Sequence, residues 1–283
     1  MQDMLSDGQD KIPLSRLVRE IKNSGLWKDD PRLTESMAKM NTRVKESSSG
    51  EAMLDKPALK DCIKENIVLV RRAFIGDFVI PEFPKFCKAI DNIYWACRTN
   101  SGGRVSTYVP QLSRYSPDYW GVSLCTIDGQ RHAIGDVDVP FTIQSGGKPI
   151  NYALAINELG ADVVHQYVGH EPSGEPVRLI KLNHENKPHN PLINAGALVV
   201  ASLIRNSRTL DERFDHVMHQ YRRLTGNGFL SFNNAMFLSE RDVADRNYAI
   251  AYYLRENKCF PDGINLHETL DFYFQLWYVF MFC

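Results

Sequence analysis

The chain has 283 residues, long enough for about two domains at the usual ~150 residues each. Its 43% hydrophobic and 24% charged residues give a globular composition and exclude a disordered chain. A net charge of -1, from 33 Lys and Arg against 34 Asp and Glu, argues against a nucleic-acid binder, which carries a basic surplus.

Pro13 stands where a first helical residue belongs, and Leu14, Leu17, Val18 and Ile21 share one face before Gly25 ends the run. Asp30-Pro31 opens a second helix through Leu33, Met37, Met40 and Val44, interrupted at Ser47-Ser48-Ser49-Gly50. Asp55 and Pro57 open a third, predicted to run on through Leu59, Cys62, Ile63, Ile67 and Val70, and another spans Pro84 to Arg98. This alternation predicts a helical, EF-hand-like domain over residues 1–100. Its loops lack the Asp-x-Asp-x-Asp-Gly ligands that calcium requires, so no metal is expected. Thr99-Asn100-Ser101-Gly102-Gly103 reads as a linker. Beyond it, Trp120 to Ile127 is strand-like, Asp128-Gly129 is a hairpin turn and Gln130 to Ile134 can return antiparallel. From Ser145 to Leu159 the period turns helical, through Ile150, Ala153, Leu154 and Ile156. A second apolar helix follows Asn194-Ala195-Gly196, through Leu198 to Ile204. A hairpin followed by buried helices is the pattern of an α+β domain.

The six cysteines include no Cys-x-x-Cys pair and read as reduced thiols of an intracellular protein. No apolar run reaches the ~20 residues of a membrane helix. Asp3, Asp7 and Asp10 fit neither a signal peptide nor a mitochondrial presequence.

Ser145-Gly146-Gly147-Lys148 carries the chemistry that spacing alone can suggest. A serine and lysine three apart at a helix start share a face, and a lysine withdrawn from water can take a hydroxyl proton. That is the Ser-x-x-Lys arrangement of acyl-transfer enzymes, at a strand-to-helix transition where amides favour developing negative charge. Packing explains the same spacing, and Ser36-Met37-Ala38-Lys39 repeats it inside an amphipathic helix, where a packing role is expected. Ser231-Phe232-Asn233 fits either a Ser-x-Asn catalytic element or a turn. His189 in Lys187-Pro188-His189-Asn190-Pro191 is expected to fix a loop, and the histidines show no metal-ligand spacing.

Several segments resemble the animal phosphate-activated glutaminases of kidney and liver type. They are Tyr108-Val109-Pro110-Gln111-Leu112, Trp120-Gly121-Val122-Ser123, Asp128-Gly129-Gln130-Arg131-His132, and Lys187-Pro188-His189-Asn190-Pro191 with Asn194-Ala195-Gly196-Ala197. Ser239-Glu240-Arg241, Asp245-Arg246-Asn247-Tyr248-Ala249-Ile250 and Leu270-Asp271-Phe272-Tyr273-Phe274-Gln275-Leu276 continue the likeness. The resemblance implies a serine β-lactamase/penicillin-binding-like glutaminase fold over 104–276, and hydrolysis of L-glutamine to L-glutamate and ammonia through an acyl-enzyme. It implies Ser145 as nucleophile, Lys148 as its proton-transfer partner and Tyr108 beside them. Tyr108, Ser145, Asn194, Glu240, Asn247 and Tyr273 match the substrate-binding set. A carboxylate such as Glu240 suits the substrate ammonium, and neutral donors suit its carboxylate.

The resemblance further implies no metal and no cofactor, inorganic phosphate as activator, and self-association into dimers and homotetramers. It places a mobile loop at Val177 to Asn186 beside the subunit interface. It implies the mitochondrial matrix, with the cytoplasm as alternative because no presequence is visible. Two departures stand out. Gly146-Gly147 replaces larger residues, and 277–283, an uncharged aromatic tail suited to sheet-edge pairing, has no likeness to the family. The catalytic domain is therefore expected to be incomplete, lacking a second catalytic tyrosine, one oxyanion donor, sheet strands and the ankyrin repeats. Little or no activity is expected of the chain as written. The alternative function is a catalytically inactive isoform that binds and modulates full-length subunits. A penicillin-binding enzyme is the remaining rival, and no labelling of Ser145 by a penicillin is expected.

Overall fold

The computed structural model describes residues 11–47, 52–174, 180–226 and 228–276, and the backbone of 279–280. The expectations for Asp3, Asp7, Asp10, Ser48-Ser49-Gly50, 177–179, Trp277, Tyr278 and 281–283 lie outside the described residues. Contacts divide the chain into two units, 1–102 with 120–137, and 103–119 with 138–283.

In the first unit β1 (Ile12–Pro13) pairs antiparallel with β2 (Met53–Leu54), each leading into a helix. Pro13 is therefore an edge-strand residue at the N-cap of α1 (Leu14–Asn23), one position before its predicted place. After a 3-10 turn at Pro31–Leu33, whose cap Asp30 accepts from Arg32 N, comes α2 (Thr34–Glu46). The predicted third helix is two. α3 (Lys56–Ile63) is capped by Asp55, and α4 (Ile67–Ile75) follows a 3-10 turn at Lys64–Asn66. The break falls at Asn66, whose side chain leaves the helical run to accept the Ser36 hydroxyl at 2.6 Å. Ile12, Leu17, Ile21, Leu33, Met40, Leu54 and Val70 form the core of these helices.

α5 (Phe83–Arg98) runs against the hairpin of β3 (Gly121–Cys125) and β4 (Arg131–Gly135). The hairpin register is Val122 opposite Ile134 and Leu124 opposite His132, and Gly129 supplies the positive φ that its turn needs. The sequence boundary of 1–100 and 104–276 assigns this hairpin to the second domain, whereas its contacts lie in the first unit. Gln130, 1% exposed, donates to Ser24 O and Ile80 O and accepts from Ile80 N. Asp128 accepts from Arg72 and from Val79 N. Buried polar groups need such partners, and here the first hundred residues supply them.

The second unit is built around α8 (Asn194–Leu203), in which every residue from Ala195 to Leu203 is buried. α6 (Lys148–Leu159), α11 (Asp245–Glu256) and α12 (Leu266–Gln275) pack on it. The short α7 (Ala161–Val164) adjoins α6, while α9 (Leu210–Leu224) and α10 (Asn234–Asp242) pack on α12. Arg213 of α9 closes the C-terminal end of α8, donating to Ala201 O at 2.6 Å and Ile204 O at 2.9 Å under the Phe272 ring. Burial pulls its pKa down to about 10, so the guanidinium still carries its charge at neutral pH. A three-stranded antiparallel sheet has the order β5 (Phe141–Thr142), β7 (Val279–Phe280), β6 (Leu230–Ser231). Phe280 faces Phe141 on one side and Leu230 on the other, so residues 279–280 take the middle place, not an edge.

Candidate active site

β5 delivers the chain into a 3-10 turn at Gln144–Gly147, which runs straight into α6. The helical run predicted from Ser145 thus begins as a tight turn. Gln144 has φ +49, a left-handed value that is uncommon for a residue with a side chain and is found where surrounding contacts hold it. Here the Tyr108 hydroxyl donates to Gln144 Oε1 at 2.7 Å. Ser145 is exposed on the turn, and three residues later Lys148 is buried, 6% exposed. The Lys148 backbone N–H donates to Ser145 O, which fixes the two residues on one side of the turn.

Lys148 Nζ donates to Asn194 Oδ1 at 2.7 Å, and Asn194 Nδ2 donates to Asn247 Oδ1 at 3.2 Å. Three sequence candidates from α6, α8 and α11 thus form one hydrogen-bonded row. Asn194 opens α8, and its place depends on Gly196 two residues on. A Cβ at Gly196 would lie 1.9 Å from Asn190 O, so only glycine lets the Asn190-Pro191 backbone pass this close. Glu240 and Tyr273 are both buried, in α10 and α12, helices joined by the Arg241–Asp271 ion pair at 3.0 Å. Glu240, Asn247 and Tyr273 thus stand on α10, α11 and α12, of which α11 and α12 pack on α8 and α10 packs on α12.

The other candidates separate cleanly. Ser36 is buried against Asn66, and Lys39 donates to Asp61 O, so this second Ser-x-x-Lys pair packs helices of the first unit. Asn233 caps α10 by accepting from Met236 N, which is the turn reading of Ser231-Phe232-Asn233. His189 lies in a loop whose backbone bonds to Gly169 and Glu171 at Pro188 O and His189 O. Two residues near the nucleophile turn escape sequence reading, Gln144 and Tyr221. Gln144 carries no motif signal beyond its place before Ser145, and Tyr221 shows only as an apolar-face residue of α9. Among the described residues, no three His, Cys, Asp or Glu side chains cluster as metal ligands, and no helix is long and apolar enough to cross a membrane.

A glutaminase family model matches residues 103–283, and an EF-hand domain model matches residues 1–81. The liver isoform of mitochondrial glutaminase from Mus musculus is 47% identical over 272 residues, covering 96% of this chain and 45% of that protein. Putative glutaminase 2 of Caenorhabditis elegans is 46% identical over 277 residues, covering 95% of this chain and 46% of that protein. The chain thus spans about half the length of these relatives. Among solved structures, probable glutaminase ybaS superposes with a TM-score of 0.65 at 28% identity, over 70% of this chain and 64% of that one. The native form of Mglu superposes with a TM-score of 0.61 at 32% identity, over 67% of this chain and 46% of that one. The second unit has the β-lactamase-like fold of these proteins, and with an EF-hand domain ahead of it the chain belongs to the glutaminase family.

Proposed function

We propose that this site is built to hydrolyse the side-chain amide of L-glutamine, with Ser145 as nucleophile and Lys148 as the group that takes its proton, and that the chain as written turns over slowly at most. The observation that carries this reading is the row Lys148–Asn194–Asn247, which holds a buried amine three residues from an exposed serine. Ser145 Oγ would attack the amide carbon as its proton passes to Lys148. Collapse of the tetrahedral intermediate, with Lys148 passing that proton to the leaving nitrogen, would release ammonia, and water would then cleave the acyl-serine to L-glutamate. The Ser145 backbone N–H at the start of the turn suits the developing oxyanion, since those of Gly146 and Lys148 bond to Ile143 O and Ser145 O and Pro149 has none. Glu240 would take the substrate ammonium; Asn194, Asn247, Tyr108 and Tyr273 are neutral groups suited to orienting the remainder. No cofactor is needed for an amide attacked by an activated serine. By family likeness, inorganic phosphate would activate, the subunits would pair into dimers and tetramers, and the protein would act in the mitochondrial matrix.

The test is release of ammonia and glutamate from L-glutamine by the full chain at several phosphate concentrations. Ser145→Ala and Lys148→Ala should abolish it, and Ser36→Ala should leave it unchanged. Full turnover by Ser145→Ala would remove the acyl-enzyme reading. No turnover by the unaltered chain, with altered turnover when it is mixed with a full-length glutaminase, would favour a modulating subunit instead.

A further inference from the structure

Gly147 has φ -74 and ψ -20, values open to any residue, so its backbone does not call for glycine. The space around it does. A Cβ there would meet the Tyr221 hydroxyl at 3.0 Å and Ile143 Cγ2 at 3.5 Å. At Gly146, on the exposed side of the turn, a Cβ would meet Ile143 Cγ1 at 3.2 Å and no tyrosine.

Tyr221 comes from α9, 74 residues further along, and is fully buried. Its hydroxyl lies 3.2 Å from Gly147 O and 2.9 Å from Asn151 Oδ1. One hydroxyl proton serves either acceptor. With the Asn151 amide turned over, Nδ2 donates to the hydroxyl and the hydroxyl donates to Gly147 O, which satisfies all three groups. In that arrangement one buried group grips both the carbonyl at the N-cap of α6 and a side chain one turn further on. Burial also raises the phenol's pKa, so it remains a donor throughout the neutral range.

We propose that Tyr221 is a positioning residue that holds the Ser145–Lys148 turn in place through Gly147, and that residue 147 is glycine to admit it. As a claim about catalysis this rests on the hydrolytic reading of Ser145 and Lys148; as a claim about the turn it stands on the packing alone.

Tyr221→Phe, Gly147→Ala and the double variant are compared in the full chain by melting, glutamine kinetics and amide hydrogen exchange of the segment 143–151. Tyr221→Phe should lower kcat about 100-fold, the loss that a misplacement of about 1 Å carries, with KM held. Exchange should speed up in 143–151 and not across α11 or α12. Gly147→Ala should act in the same direction by pushing the hydroxyl away, and it serves alone if Tyr221→Phe does not fold. The double variant should be no worse than the worse single one. Additive losses, or unchanged kcat and exchange in the single variants, would overturn the proposal. If the unaltered chain hydrolyses no glutamine, the hydrolytic reading falls, and the exchange cycle decides the hold on the turn: non-additivity upholds it and additivity overturns it.

Discussion

Gly196→Ala sets two effects of opposite sign against each other. Inside a helix, alanine is favoured over glycine by about 1 kcal/mol, so propensity alone predicts a more stable protein. The structure predicts the reverse. The added Cβ would stand 1.9 Å from Asn190 O, 2.7 Å from the Asn190 carbonyl carbon and 3.0 Å from Pro191 Cα. These are backbone atoms, which cannot rotate aside as a side chain would, and an ordinary carbon–oxygen contact is more than 1 Å longer. Either α8 or the Asn190-Pro191 segment must shift, and overpacking of this kind costs about 1–3 kcal/mol or more. With the propensity gain subtracted, a net loss of up to about 2 kcal/mol is expected. At roughly 2–4 °C per kcal/mol for a unit of this size, the melting temperature should fall by several degrees. Asn194 sits two residues away, so the same shift should also disturb its 2.7 Å bond with Lys148 and lower turnover by about 100-fold. Calorimetry and an ammonia-release assay on Gly196→Ala measure both. Gly103→Ala, where a Cβ meets nothing within 4 Å, is the matched control and should change neither. A raised melting temperature with full turnover in Gly196→Ala would refute the reasoning.

Glu240→Gln should raise the KM for L-glutamine about 10–100-fold, the equivalent of ~1.5–3 kcal/mol for a charge-assisted contact, with kcat little changed. An unaltered KM would mean that Glu240 does not meet the amino group. In the first unit, burial pushes the Asp30 carboxyl up, but Arg32, bonded at 2.7 and 2.9 Å, outweighs it and holds the pKa below its ordinary value. A carboxyl depressed in the folded state contributes stability above the unfolded value and loses it as pH falls through the folded one. Asp30→Asn should therefore destabilise the unit by about 1–3 kcal/mol at pH 7, with the gap to the unaltered chain narrowing below about pH 4. Urea melts at pH 7, 5 and 3 test this, and a gap independent of pH would contradict it.

The legible parts of the sequence are those in which a few neighbouring residues decide the outcome. Asp30-Pro31 and Asp55 with Pro57 mark helix starts because cap and backbone donor lie within three residues. Asp128-Gly129 marks its turn for a similar reason. Ser145 and Lys148 are readable as a pair because one turn carries both. The rest of the site is not local. Asn194, Glu240, Asn247 and Tyr273 stand on four helices that meet only in the folded unit, α11 and α12 on α8 and α10 on α12, and no spacing rule connects them. Likeness to a known family, not periodicity, singles them out. The break at Asn66 depends on a partner 30 residues away, and Gln130 finds one of its acceptors 106 residues back. The aromatic character of the tail suggests strand pairing, but not that Val279 and Phe280 would lie between two other strands.

The chain passes from the first unit to the second at 103, returns at 120 and leaves again at 138. Such interlacing bears on how the gene can be rearranged. A recombination or deletion joint at Thr99–Gly103 would part the 121–135 hairpin from the helices it packs on. The hairpin would then carry Gln130 and Asp128 without Ser24, Ile80, Arg72 and Val79. The remaining helices would keep main-chain groups that had lost their mates. The glutaminase family model over 103–283 keeps the hairpin with the half bearing Ser145, so where that half stands apart from the helices the hairpin's buried Gln130 and Asp128 need other partners.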